Sequence, residues 1–479
     1  MKRLVTLAIC VLTTSVLQAK VELHSIFSDN MVLQQKENVA VWGTASGKKV
    51  TISATWSKQK TVVTPNADGK WFVRIPTPEA GGPYELTFND GEKTVLHNVL
   101  IGEVWYCGGQ SNMDMPMRGW AGQPVEHSTD YILRARASVP IRICDIPNRN
   151  STRPLSLTQG SWKENTPGNV AQTSAVAYFF ACKLYEILEI PVGIITDDWG
   201  GSSIEAWIPR EALEKELPGE FDLSFLDKES LDKKDDHRSP CILYNGMVAP
   251  LVPFTFKGML WYQGETNRMW PHRGRQYIRL QPLYVKKMRE LFQNPNAPFY
   301  FVQIAPYAYN NPRSFLSGYF YEDQQKTLAL IPHSGMVPTV DIGNCTFIHP
   351  PKKREVGNRL AYLALVNDYG LKGIHPVAPA YESAEFKDAE AIITVKVKGP
   401  GLLPAKVPVG GFEIAGEDRV FHPATATAYK DIVTVTCDEV PNPVAVRYCF
   451  RNWGEGTLWN SDDIPLLPFR TDAWDDLEE

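Results

Sequence analysis

Four short stretches place hydroxyl, amide, carboxylate and imidazole groups at the ends of strongly apolar runs. The first is GEVWYCGGQSNMDMP, Gly102 to Pro116, where Ser111 stands between Gln110 and Asn112 just past a Gly-Gly pair. A serine there either caps the helix that follows or serves as a nucleophile at a tight turn. The second is DWGGSSIEAWIP, whose Gly200 and Gly201 form a plain strand-to-helix turn or let backbone N–H groups approach a ligand. The third is WYQGETN, which crowds Gln263, Glu265, Thr266 and Asn267 onto the end of an apolar run. Burying these groups unpaired would be costly, so they form a network or meet a ligand. The fourth is IHPPKKREVGNRLA, with His349 before two prolines and a helix. A lone histidine is often structural, but a serine hydroxyl is a weak nucleophile until an imidazole takes its proton. Ser111 and His349 on one sheet edge would supply that pair.

The elements that would position them follow from pattern. From about residue 98, continuous apolar runs (NVLIGEVWYC, PVGIITDDW, FKGMLWYQG, APFYFVQIAP, GMVPTVDIG) alternate with segments of helical spacing. That alternation predicts a parallel α/β sheet covered by helices on both faces, with sites beyond the carboxyl ends of its strands. Residues 20–97 consist of short Val/Thr/Tyr/Phe-rich runs between Gly/Asn/Asp/Pro turns, the pattern of a β-sandwich or jelly roll. β character returns over 376–479, and 98–375 is expected to be the catalytic domain. The charged stretch at about 215–240 reads as an exposed insertion. No Gly/Ser- or Pro-rich linker separates the β regions from the α/β domain, so they are expected to pack on it.

At the N-terminus, Lys2 and Arg3 precede an apolar run from Leu4 to about Leu12 and small residues to Ala19. Residues 1–19 read as a secretory signal peptide, which predicts a secreted or periplasmic protein. Cys10 raises a lipoprotein reading that its early position opposes. No membrane span is expected beyond this segment. The net charge is −5 and no Lys/Arg run stands out, which argues against nucleic acid as a partner. Seven further cysteines, irregularly spaced and without a CxxC pair, read as mostly buried thiols rather than a zinc cluster. Without GxxxxGK[ST], GxGxxG or HExxH, no metal or organic cofactor is implied. Oligomeric state leaves no signature in the sequence.

FSDNMVLQQ, ADGKW, GGPYELTF, NVLIGEVWYCGGQSNMDMP, PVGIITDDWGGSSIEAW, KGMLWYQGETN, IHPPKKREVGNRLA, GFEIAGED, NPVAVRY and PFRTDAW occur in order along nearly the whole chain. Together they resemble the sialate O-acetylesterase family, within the wider SGNH/GDSL hydrolases. The resemblance implies a flavodoxin-like α/β fold and the removal of acetyl groups from carbohydrates. It implies Ser111 as nucleophile and His349 as general base. It also implies an oxyanion hole built from the Ser111 N–H, a backbone N–H near Gly200 or Gly201, and a polar group among Gln263, Glu265, Thr266 and Asn267. Asp114 and Thr266 stand where Glu and Ser are usual.

One departure matters more. Many members carry an Asp two residues before the His, and this chain has Phe347 there. A backbone carbonyl or another carboxylate, Asp341 or Glu265, is then expected to orient His349, or the enzyme is a slow dyad. Two substrates compete: a 9-O-acetylated sialic acid, whose carboxylate would favour an arginine such as Arg118, Arg268 or Arg313, and an acetylated plant polysaccharide such as acetylxylan, which would favour aromatic platforms such as Trp120, Trp207 or Trp270. A third reading, from another class, is an inactive secreted carbohydrate-binding protein.

Overall fold

The structure is a computed structural model and describes residues 20–232, 236–269 and 271–475. The segment 1–19, read above as a signal peptide, and Trp270 lie outside the described residues.

Seven strands form the central layer in the order Trp162–Glu164, Ile141–Asp145, Val192–Asp198, Lys93–Gly109, Gly258–Tyr262, Phe299–Val302 and Ser334–Val337. All neighbours in this series are parallel except the edge pair Trp162–Glu164 and Ile141–Asp145. The continuous apolar runs are explained by burial on both faces. Trp105, Cys107, Leu260, Tyr262, Tyr300 and Val302 point to one helical layer, formed by Ala175–Leu188 and Lys353–Asn367. Their chain neighbours Tyr106, Met259, Trp261, Phe299 and Phe301 point to the other, where Tyr277, Leu280 and Tyr284 of Pro271–Leu291 pack with Phe320 of Leu316–Leu330. Period-two alternation thus serves both layers.

The chain leaves Lys93–Gly109 to build strands on one side and later returns to build Gly258–Tyr262 on the other. Strand order therefore reverses at the carboxyl end of Lys93–Gly109, where α/β sheets open a crevice. Ser111 follows directly.

The N-terminal β region forms two layers, with the Trp71 ring against Phe88 at 5.7 Å. Its strand Gly81–Asn89 pairs antiparallel with the first half of Lys93–Gly109, whose second half belongs to the parallel sheet. A boundary at residue 97/98 falls inside this one strand. The C-terminal region is a seven-stranded antiparallel sheet over Ala380–Arg470, with a core that includes Ile393, Phe412, Ile414, Val433 and Tyr448. Asn452 ties it to the α/β domain, accepting hydrogen bonds from Ser317 N–H (3.1 Å) and Ser317 Oγ (2.9 Å).

The stretch expected to be an exposed insertion is anchored: Leu217, Leu223, Phe225 and Leu226 are buried. Its charged residues dominate the composition, but a few apolar side chains decide where it lies. No disulfide forms among the described residues. Cys107, Cys144, Cys241 and Cys449 are buried thiols and Cys345 is exposed.

Candidate active site

Gly109 ends its strand at φ +150°, and a Cβ there would lie 2.2 Å from the Tyr262 carbonyl oxygen. Only glycine lets the chain turn so close to the neighbouring strand. The short helix Ser111–Asp114 begins at once, with Gln110 rather than Ser111 in the capping position. The capping role for Ser111 is thereby removed. Ser111 is half-buried. A Cβ on Gly200 would lie 3.4 Å from the Ser111 Cβ, so the glycine turn after Val192–Asp198 faces the serine directly.

His349 also stands at this rim. The Asn112 side chain donates to the Ile348 carbonyl (3.1 Å), linking the residue after Ser111 to the residue before His349. The two rings of Trp120 and His349 meet edge to face at 4.9 Å. His349 Nδ1 lies 2.5 Å from Gln123 Oε1. An amide oxygen only accepts, so Nδ1 carries the proton and Nε2 presents its lone pair. Trp120 and Gln123 reach the imidazole from opposite ends of one tight turn, closed by the hydrogen bonds Trp120 N–H to Gln123 O (3.0 Å) and Gln123 N–H to Trp120 O (2.9 Å). Burial and the nearby Lys353 ammonium pull the imidazole down to about 4. His349 is therefore neutral near pH 7 and able to accept a proton. No hydrogen bond joins Ser111 to His349 among the described residues, which is common before a substrate tightens such a pair.

Asp341 does not orient His349. It is held by Arg359 (2.9 and 2.6 Å) and accepts from Trp459 Nε1 (3.0 Å). Glu265 does not reach it either: Glu265 Oε1 accepts from Asn112 Nδ2 at 2.5 Å. The third block folds inward rather than lining the crevice. Gln263 Nε2 donates to Gln110 Oε1 (3.1 Å), Ser202 O (3.1 Å) and Asn267 Oδ1 (2.7 Å), and Asn267 Nδ2 donates to Glu205 Oε2 (2.9 Å). These amides fasten the strand ends together, while Gln263 Oε1 has no hydrogen-bond partner among the described residues. Thr266 Oγ1 donates to the Gly201 carbonyl (3.0 Å) and fixes the glycine turn.

The Gly200 N–H donates to Asp114 Oδ2 (3.2 Å). Burial raises the Asp114 carboxyl, and burial together with neighbouring acids raises Asp198 well above the usual range. A hydrogen bond between the two carboxyls lets them share a proton beside the turn.

Other expectations sort by position. Arg268 is buried, stacked over the Tyr309 ring at 3.8 Å, and Trp207 is fully buried with its Nε1 donating to Ser202 Oγ (3.1 Å). Neither can meet a substrate. Arg118 and Arg313 are exposed, and Trp120 serves His349. The structure instead brings Trp199, His237 and Arg238 to the glycine turn. The Trp199 and His237 rings stack at 5.3 Å with planes 9° apart, and Arg238 Nε donates to the Gly201 carbonyl (3.3 Å). Trp199 lies within the DWGGSSIEAWIP stretch, but nothing in the sequence pointed to His237, Arg238 or Gln123.

A parallel α/β domain with a serine and a neutral histidine at its reversal point defines the class of an ester hydrolase. The profile of the family described as carbohydrate esterase, sialic acid-specific acetylesterase, matches residues 101–365, more than half of the chain. The chain belongs to this family and is an esterase. It is similar to the crystal structure of a carbohydrate acetylesterase from Xanthomonas citri, with a TM-score of 0.84 and 34% identity, over 95% of this chain and 100% of that one. It is also similar to the sialate O-acetylesterase of Rattus norvegicus, 27% identical over 418 residues, covering 75% of this chain and 76% of the relative. The human sialate O-acetylesterase is 30% identical over 264 residues, covering 51% and 48% respectively.

Proposed function

We propose that this protein is a secreted serine esterase that removes O-acetyl groups from a carbohydrate, with an O-acetylated sialic acid as the leading substrate. The observation that carries the mechanism is the Gln123–His349 contact, which leaves Nε2 as the accepting nitrogen at the rim where Ser111 stands. Ser111 Oγ gives its proton to His349 Nε2 and bonds to the acetyl carbon. The negative oxygen that forms is held by the Ser111 N–H and by the Gly200 N–H, taken over from Asp114; each such donor is worth about 3 kcal/mol. The bond to the sugar oxygen then breaks, and that oxygen leaves with the proton from Nε2. Water gives a proton to His349 Nε2 and bonds to the acetyl carbon of the acetyl-Ser111 ester; as acetate leaves, Ser111 Oγ takes that proton back from Nε2. Every atom is accounted for without a metal or cofactor step.

A doubly wound sheet supports this reading: without its edge strands Ile141–Asp145 and Trp162–Glu164, the strand order is 2-1-3-4-5, as in flavodoxin-like folds. The names of the curated relatives support sialate. So does Arg238 at the glycine turn, a cation suited to a sugar carboxylate. Secretion rests on the 1–19 segment, and no helix among the described residues is long and apolar enough to cross a membrane. The test is acetate release by wild type and Ser111→Ala from p-nitrophenyl acetate, from O-acetylated mucin sialic acids and from acetylxylan. Loss of all turnover in Ser111→Ala and preference for the sialic acids are expected. Activity that survives in Ser111→Ala overturns the mechanism, and preference for acetylxylan overturns the substrate.

A further inference from the structure

Three buried side chains stand in line behind the Ser111–His349 pair, and the acyl transfer uses none of them. Lys353 is 0% exposed. Its Nζ donates to Asn112 Oδ1. Asn112, also 0% exposed, donates from Nδ2 to Glu265 Oε1 at 2.5 Å and to the Ile348 carbonyl at 3.1 Å. Among the described residues the second oxygen of Glu265 has no hydrogen-bond partner. A lysine is rarely removed from water so completely without a carboxylate against it. Here the opposite charge is reached only through the amide between them.

That arrangement fixes the amide in one orientation. Its oxygen faces the ammonium and its NH2 faces the carboxylate; reversing it would set donor against donor and acceptor against acceptor. In the fixed orientation the second N–H meets the Ile348 carbonyl. The segment before it bonds largely to itself, with Asn344 Oδ1 accepting from the N–H groups of Thr346 (2.9 Å) and Phe347 (3.0 Å). The bond from Asn112 therefore ties this loop to the helix that begins at Ser111.

We propose that Asn112, polarised between Lys353 and Glu265, is a positioning residue that sets where His349 stands relative to Ser111. This rests on the reading of Ser111 and His349 as the reacting pair. Burial pulls the Lys353 ammonium down to about 7 against the opposing pull of Glu265, and raises the Glu265 carboxyl, as expected for a charge pair held apart by a neutral group.

The decisive variant is Asn112→Asp combined with Glu265→Gln. It moves the negative charge from position 265 to 112 without changing the net charge. Lys353 then meets a carboxylate directly, and the new glutamine amide donates back to position 112. The donor to Ile348 is lost, and two oxygens face each other. A melting temperature close to wild type is expected, with KM for p-nitrophenyl acetate retained and kcat about 100-fold lower, the usual cost of misplacing a reacting group by an ångström. Glu265→Gln alone removes the charge behind Asn112 but leaves its side chain able to donate to Ile348, and is expected to lower kcat less than the double variant does. Should the double variant fail to fold, Asn112→Ser repeats the test, because the shorter side chain cannot span to Ile348. Wild-type kcat in a folded double variant or in a folded Asn112→Ser overturns the proposal, as does an equal loss in Glu265→Gln alone. Ser111→Ala run in parallel separates the two readings: if it keeps activity, the reacting pair is wrong, whereas if it is inactive while the double variant is not, only the positioning role fails.

Discussion

Gln123 Oε1 lies 2.5 Å from His349 Nδ1, so a neutral carboxamide occupies the place from which a carboxylate usually steadies a catalytic imidazole. It fixes the tautomer but does not compensate the charge that His349 acquires when it takes the proton of Ser111. Gln123→Ala should lower kcat by about 10- to 100-fold, at or below the lower end of the roughly 100- to 10,000-fold ascribed to general-base assistance. Gln123→Glu adds the missing charge and should raise kcat above wild type. Steady-state kinetics on p-nitrophenyl acetate decide it; a Glu variant no faster than the Ala variant would remove Gln123 from the mechanism.

The same relationship sets the pH response. Histidine ordinarily titrates near 6.5, but His349 is held to about 4 by burial and by Lys353. Its neutral, accepting form therefore persists as pH falls through 6.5 and is lost only near 4. The acid limb of kcat/KM should lie well below the usual histidine position, and Gln123→Glu should move it upward because a carboxylate favours the imidazolium. Stability carries the opposite burden. The unfolded chain takes up this proton first, so the contribution of His349 to stability is complete above 6.5 and declines between 6.5 and 4. Initial rates, taken within the range where the enzyme stays folded, would show the limb; an acid limb at 6.5 would contradict the burial argument.

Asp341 offers a contrast, because its carboxylate serves the architecture. It pairs with the buried Arg359 and accepts from Trp459, a residue of the C-terminal region. Asp341→Ala leaves that arginine unpaired and should cost about 3 kcal/mol or more of stability. Activity per folded molecule should change little. Urea denaturation alongside active-site titration with a fluorophosphonate separates the two quantities, and a large kcat loss in fully folded protein would return Asp341 to the site.

Arg238 should matter only for charged substrates. Removing its guanidinium by Arg238→Ala is expected to raise KM for O-acetylated sialic acid about 10-fold, the loss of one charge-assisted contact. KM for p-nitrophenyl acetate should stay unchanged. Equal effects on both esters would assign Arg238 to holding the Gly201 turn rather than to recognising a carboxylate.

The parallel strands were legible because burial on both faces demands unbroken apolar runs, and Gly, Pro and Asn mark where they end. The place of Ser111 was legible because it follows the end of such a run, whereas His349 stands in the loop between Ser334–Val337 and Lys353–Asn367. Gln123 was not, since its partner lies 226 positions away and its own turn has no periodicity. Lys352 and Lys353 look alike in a run of charge, and only the packing of Lys353–Asn367 decides that one of them leaves water. The amides of WYQGETN were read as network or ligand contacts. Gln263 and Asn267 bond to Gln110, Ser202 and Glu205, and all three partners come from other parts of the chain, so no local pattern could announce them.

The Lys93–Gly109 strand begins as the partner of Gly81–Asn89 and ends one residue short of the Gln110–Ser111 step. The leading β module is thus no detachable cassette. Swapping it for another, or starting a shortened chain at the hydrolase, would strip hydrogen bonds from the very backbone that delivers the serine. Through this shared rod of main chain, loosening at the amino end would be felt at the far tip.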